Sequence, residues 1–204
     1  MEEVYQPSEK KILRFEFTAF SVAMFAAKSF LLIRMPYRGV ELNTIYTILI
    51  ISSFYFYLRF RQQIVPPFIL LFFLFGAVGA DVAGNYFQMY GYRFGPVMYD
   101  EFTHFIGPAL SLPPTIWALR ETLRGSRIKL PNSLLAFFSV TITFAFAAYY
   151  EILELWDENF FGGKRLWTPT DSANDLQFGL CGILISTFLT LLVFKIFPSN
   201  EIEN

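Results

Sequence analysis

The chain has 204 residues, of which 54% are hydrophobic and only 16% are charged, against roughly 25% charged residues in soluble domains. The formal net charge of −1 offers no basic surface for nucleic acid, and the single cysteine, Cys181, excludes an internal disulfide and a cysteine-rich metal site. The composition is that of an integral membrane protein.

Apolar runs of about 20 residues, enough to cross a hydrocarbon core of roughly 30 Å, recur along the chain. They predict an all-α fold, a polytopic transmembrane bundle of about six helices that forms a single integral membrane domain over residues 1–204. The predicted helices lie near residues 13–34, 42–59, 65–87, 97–119, 132–156 and 171–196. The fourth reaches membrane length only if it includes its charged first turns, with Asp100, Glu101 and His104.

The distribution of Lys and Arg predicts the orientation of the bundle. With six helices both termini share one side, and the loops and ends on that side contain ten Lys and Arg against five on the other. Because cytoplasmic loops carry an excess of basic residues, we expect a multi-pass protein of the inner (cell) membrane with cytoplasmic termini.

Ionisable groups at membrane depth are costly and indicate function. Seven such residues lie inside the predicted helices or at their ends: Asp81, Asp100, His104, Glu151, Glu154, Asp171 and Asp175. At a rise of 1.5 Å per residue, all seven fall within roughly the outer third of the membrane. Six of them form three pairs that are three or four residues apart, so each pair shares a helix face. Tyr99, Tyr149 and Tyr150, at similar depth, could add hydroxyls to such a site, although the interfacial aromatic belt is the favoured interpretation.

These pairs predict a divalent-metal site, because carboxylates so close together repel one another unless a cation compensates. The expected metal ligands are Asp100, His104, Glu151, Glu154, Asp171 and Asp175. One imidazole among carboxylates suits Mn, Fe, Zn or Mg rather than Cu(I), and the choice among the four stays open. Basic side chains are the alternative source of positive charge, namely Lys28, Arg93, Lys164 and Arg165.

Three motifs carry a family resemblance: Tyr99-Asp100-x-x-x-His104-Phe105-x-Gly107, Glu151-x-x-Glu154-x-Trp156 and Asp171-x-x-x-Asp175-x-x-x-Gly179. Their order and spacing, over about residues 76–190, resemble the YjdF-like inner-membrane proteins of bacteria and archaea. The resemblance implies a polytopic membrane fold with these polar residues as its functional core, but no reaction, since that family has no established activity.

A more distant likeness is to the VanZ-like proteins, which are associated with glycopeptide resistance and the cell envelope. In that pattern Glu154 stands at a Gln position, Arg165 at an Arg and Asp175 at an Asn. The two acidic replacements favour a cation-binding site in this chain.

Three functions fit these features, and the sequence leaves open whether the protein is an enzyme. In the first, which we favour, Asp100, His104, Glu151 and Glu154 are catalytic with a divalent metal, and Arg165 and Asp81 bind a lipid or cell-envelope head group. In the second, the same carboxylates form a cation or proton site of a transporter, with membrane lipids and a cationic small ligand as partners. In the third, the protein is an accessory subunit whose polar network is structural, and Glu154, Asp157 and Glu158 are a solvated helix end.

Overall fold

The computed structural model of the protein describes residues 68–126, 128–162 and 168–196. Within them the chain forms four helices: α1 Phe68–Tyr86, α2 Tyr99–Gly125, α3 Asn132–Trp156 and α4 Asp171–Ile196. These are the third to sixth predicted helices, so the helical class is confirmed for this part of the chain. The first two predicted helices, at 13–34 and 42–59, and the basic residues Lys28, Lys164 and Arg165 lie outside the described residues. The count of six crossings and the single domain stay predictions.

Two of the four described helices are long and apolar enough to cross a membrane: α3, which its extension carries to Phe160, and α4. A shorter apolar stretch, Phe72–Asp81, lies within α1. With 27 residues, α2 exceeds the 20 or so that a crossing needs, but it is more polar. It also ends at Gly125, six residues beyond the predicted end, and is continuous through three internal prolines, Pro108, Pro113 and Pro114.

A compact turn joins α1 to α2. It contains a 3-10 helix, Met89–Gly91, and two antiparallel strands, β1 Arg93–Phe94 and β2 Val97–Met98. Gly95 occupies the two-residue loop between the strands with a φ of 66°, which favours glycine. The Glu101 side chain then accepts a hydrogen bond from the Met98 N–H at 2.7 Å and caps the start of α2.

The central helix of the described bundle is α2, which packs against α1, α3 and α4, and α3 also packs against α4. The buried apolar core lies in the second half of α2, where Leu112 and Ile116 meet Leu135 of α3 and Ile183 of α4. The first half of α2 carries the polar residues. The described bundle therefore has an apolar core around the second half of α2 and a polar end around the first half.

Glycines in α4 allow it to approach α2 closely. Pro108 has no N–H to donate to the His104 carbonyl four residues earlier, and a Cβ atom at Gly179 would lie 3.4 Å from that carbonyl oxygen. At Gly182 a Cβ atom would overlap the Phe105 carbonyl oxygen. Small residues at such an interface let two helix backbones meet in lipid.

Replacing Gly182 by alanine is expected to force α4 away from α2 and to destabilise the protein by about 1–3 kcal/mol, as overpacking does. Gly79→Ala is the matched control, because a Cβ atom there meets nothing within 4 Å. The measurement is the thermal unfolding midpoint of the purified protein in detergent. Equal midpoints for the two variants would contradict the close approach.

Candidate metal centre

The site is built around His104, the one histidine of the chain. Asp100 lies one helical turn earlier on α2, and its Oδ1 is 3.5 Å from His104 Nε2. Asp175 of α4 places its Oδ2 3.8 Å from the same nitrogen. Glu151 of α3 places its Oε1 3.1 Å from the other ring nitrogen, Nδ1. Three helices therefore deliver acidic groups to one imidazole.

The three carboxylates are buried, and the imidazole is nearly so. The imidazole is 11% exposed, and the carboxylates of Asp100, Glu151 and Asp175 are between 3% and 9% exposed. Among the described residues, His104 is the only basic side chain within 4 Å of these three carboxylates. Since an imidazole carries at most one positive charge, three ionised carboxylates would leave an excess of negative charge, which a bound cation or protonation of a carboxylate would remove.

Two sets of three groups have the spacing of metal ligands, and both contain His104. One set adds Asp100 and Asp175, and the other adds Glu151 and Glu154; within each set the candidate ligand atoms all lie within 4.8 Å of one another. The first set surrounds Nε2 and the second approaches Nδ1. A metal bound on one side of the ring would leave the other ring nitrogen facing carboxylates, an arrangement common around metal-bound histidines.

The carboxylate of Glu151 is the least satisfied member of the site. Neither of its oxygens accepts a hydrogen bond from the described residues, and its 3.1 Å contact with His104 lacks hydrogen-bond alignment. The great majority of buried polar groups have such a partner, so an exception calls for an explanation, such as an ion. Glu151 therefore points to a ligand at this position.

The end of α3 is more deeply buried than the sequence suggested. Glu154 is 6% exposed and Asp157 only 1% exposed, so the interpretation of these two residues as a solvated helix end is wrong. Asp157 begins a π-helix, Asp157–Phe161, and such turns are frequent at functional sites. The sequence signal for this burial is spacing, since Glu151, Glu154 and Asp157 follow one another at intervals of three and so share a helix face.

The remaining predicted site residues lie around this group rather than in it. Asp171 is buried one helical turn before Asp175 on α4, outside both sets of ligand spacing. The carboxylate of Asp81 in α1 accepts a hydrogen bond from the Tyr90 hydroxyl. Arg165, the predicted head-group ligand, lies outside the described residues.

A cavity of about 260 Å³ lies beside His104 and is lined by residues of α1, α2 and α3. Asp81 lines it from α1 and His104 from α2. Asp81 and His104 therefore line the same cavity, and substrate binding by Asp81 stays a prediction.

Tyr99 fixes α1 against this end of α2. It is 5% exposed, so its assignment to the exposed aromatic belt is wrong. Its hydroxyl donates a 2.6 Å hydrogen bond to the Ala80 carbonyl, and its ring lies over Gly84, where a Cβ atom would overlap it. Tyr150, the neighbour of Glu151, meets His104 edge to face at 5.9 Å between ring centres.

The fold and this cluster define a helical membrane protein with a buried acidic site around one histidine. Residues 17–195 match the family described as predicted membrane protein (DUF2238), and the chain belongs to that family. No curated protein matches the chain significantly, and neither does any solved structure. Family membership supports the membrane location, while the family description names no activity.

Replacing Tyr99 by phenylalanine removes the hydrogen bond to Ala80 and is expected to lower the free energy of unfolding by about 1 kcal/mol. Tyr92→Phe is the control, because that side chain is 63% exposed. Thermal unfolding of both variants checks the effect. A midpoint for Tyr99→Phe equal to that of Tyr92→Phe would show that the bond does not hold α1 in place.

Proposed function

We propose that the protein binds a divalent metal at His104 and uses it to hold, and to act on, the anionic head group of a membrane lipid or cell-envelope molecule. The observation that carries the proposal is the meeting of carboxylates from three helices at one buried imidazole, with a Glu151 carboxylate that lacks hydrogen bonds. The family and its membrane location are consistent with a lipid-like substrate.

Charge balance supports a metal over a purely structural network. A buried polar network stabilises a fold when its members are all satisfied, and Glu151 is not satisfied by the described residues. A divalent cation brings two positive charges to a group in which one imidazole faces at least three carboxylates. The oxygen and imidazole donors suit Mn, Fe, Zn or Mg.

The geometry favours the Nδ1 side of His104 as the metal position. Metal–ligand bonds of about 2.1 Å at right angles place neighbouring ligand atoms about 3 Å apart, and His104 Nδ1 lies 3.1 Å from Glu151 Oε1. With Glu154 as a third ligand, Asp100 and Asp175 would orient the ring through its Nε2–H. Asp171 would act through Asp175 rather than on the metal.

The metal would polarise a phosphate or ester oxygen of the head group, or lower the pKa of a bound water. A carboxylate on the Nδ1 side of the ring that does not bind the metal would act as the general base. Arg165, beyond the described residues, would contact the anionic part of the head group, and Asp81 would accept hydrogen bonds from its hydroxyl groups. We further propose that the family's closer kinship is to the YjdF-like proteins, with a distant relation to the VanZ-like proteins, and that the site faces the outer leaflet of the cell membrane.

The transport hypothesis lacks a specific observation in its favour. On the side of the cavity toward Thr115 and Thr143, the polar groups contributed by the described residues are hydroxyls and not acids. A proton or cation path through the bundle would need further titratable groups there.

Purified native protein is expected to contain about one divalent metal ion per chain, and His104→Ala is expected to lose it. Mutating a residue that only hydrogen-bonds to a metal ligand lowers metal affinity about 10- to 100-fold, and removing the ligand itself should lower it further. Elemental analysis after purification without chelators is the measurement. Glu101→Gln serves as the control, since it removes a neighbouring acid that caps α2 rather than joining the cluster. A native protein without stoichiometric metal would refute the metal centre.

Glu151→Gln is expected to raise the thermal stability of the metal-free protein and to lower that of the metal-bound protein. In chelator the variant should unfold at a higher temperature than the native protein, by the equivalent of about 1–3 kcal/mol, because a neutral amide replaces one of the three buried carboxylates that share a single imidazole. With added metal the native protein should gain stability and the variant should gain little. Thermal unfolding with and without metal tests this, and a variant that is less stable than the native protein in chelator would contradict it.

A further inference from the structure

We propose that the cavity beside His104 holds one ester-linked acyl chain of a phospholipid whose phosphate is bound at the metal centre. This inference rests on the proposed metal site for the phosphate, whereas the chain position rests on the cavity itself. It names a substrate class that the polar cluster alone does not define.

The length of the cavity matches one leaflet of a membrane. Its lining residues on α2 run from Thr103 and His104 to Thr115, a distance of about 16–18 Å at the rise of an α-helix. The hydrocarbon core of a bilayer is roughly 30 Å thick, so the cavity extends over about half of it. A lipid chain that starts at the polar cluster would end near the bilayer centre.

The chemistry of the cavity changes along the same direction. The charged and larger polar side chains, those of Asp81, Tyr90, His104 and Tyr150, lie toward the cluster, and farther along the cavity the polar groups are the hydroxyls of Ser111, Thr115 and Thr143. Its apolar side chains include Leu74, Val78, Pro108, Pro114, Ile142 and Phe146, which come from all three lining helices. A pocket of this kind fits an amphiphile with a polar head and an apolar chain, and not a small hydrophilic solute.

Thr143 supplies an independent sign of a ligand. Hydroxyls elsewhere in these helices donate to the carbonyl four residues earlier, as those of Ser111, Thr115, Thr122, Ser139, Thr141 and Thr187 do. The Thr143 hydroxyl has no partner among the described residues, although the residue is only 3% exposed and lines the cavity. An oxygen in the cavity would satisfy it.

The position of Thr143 suits the ester of a lipid whose phosphate is at His104. Thr143 precedes Glu151 by eight residues on α3, which places it about 12 Å along the helix axis from Glu151. Both side chains tilt toward the N-terminus of the helix, and because that of Glu151 is the longer, its carboxylate lies somewhat nearer to the Thr143 hydroxyl than the backbone separation. The ester carbonyl, which follows the phosphate along the lipid, is then the acceptor for the Thr143 hydroxyl.

The first test blocks the cavity. A Cβ atom at Gly107 would meet nothing within 4 Å, and Gly107 lines the cavity, so Gly107→Leu places a side chain in the proposed chain position. Gly79→Leu is the matched control, since Gly79 is equally unobstructed but exposed and does not line the cavity. The probe is lysophosphatidylglycerol, titrated onto the full-length, metal-loaded protein in detergent.

Gly107→Leu is expected to weaken binding of the probe at least about tenfold, while Gly79→Leu should bind within about twofold of the native protein. Metal content and thermal midpoint are measured on the same samples. Equal binding by the native protein and a folded Gly107→Leu variant would overturn the proposal. A native protein without metal whose probe binding is still sensitive to Gly107→Leu would refute the metal centre and support the chain site.

The second test concerns the ester. Thr143→Val keeps the shape of the side chain and removes its hydroxyl, and it should weaken probe binding about three- to tenfold, the value of one hydrogen bond. An ether-linked analogue of the probe, which lacks the carbonyl, should bind the native protein and Thr143→Val equally. Ser139→Ala is the control, because that buried hydroxyl is on the same helix but donates to Leu135. If Thr143→Val binds the ester probe as tightly as the native protein does, the ester contact is wrong and water satisfies the hydroxyl.

Discussion

One constraint governs this end of the molecule: a carboxylate buried at membrane depth must meet a cation or a hydrogen-bond donor. His104 is where that requirement is concentrated, because Asp100, Glu151 and Asp175 reach it from three helices. One imidazole cannot neutralise three or more carboxylates. The group therefore needs either further positive charge or protonation of a carboxylate, and we propose that a cation binds at Glu151, whose oxygens accept no hydrogen bond from the described residues.

The packing of the helices brings these carboxylates to His104. Gly182 brings α4 into backbone contact with α2, and Gly179 lies against the His104 carbonyl that Pro108 leaves without its usual donor. Asp175 stands on the same face of α4, one and two turns before these glycines. The close approach that stabilises the helix pair thus also sets the distance between Asp175 and the imidazole. On the other side, Tyr99 binds α1 through the Ala80 carbonyl and keeps Asp81 at the cavity.

Periodicity predicted much of the site, because a helix has one repeat and residues three or four apart must share a face. The pairs Asp100 with His104 and Glu151 with Glu154 could be read in this way, and so could their common depth. Depth does not specify the direction around the helix axis. Asp171 and Asp81 were predicted at the same depth as the other acids, yet neither belongs to the two sets of possible metal ligands. Conversely, Asp157 was expected at a solvated helix end and Tyr99 in the aromatic belt, and both are buried.

The sequence by itself determined that this is a helical membrane protein with a costly acidic group and one histidine at one level, because hydropathy and helical spacing are local properties of the chain. Only the tertiary structure decided which carboxylates meet the imidazole, that the Glu151 oxygens accept no hydrogen bond from the described residues, and that a cavity lined by His104 and Thr143 lies beside the cluster. These features depend on the rotation and separation of neighbouring helices. Those are set by long-range packing at positions such as Gly182, and no local pattern encodes them.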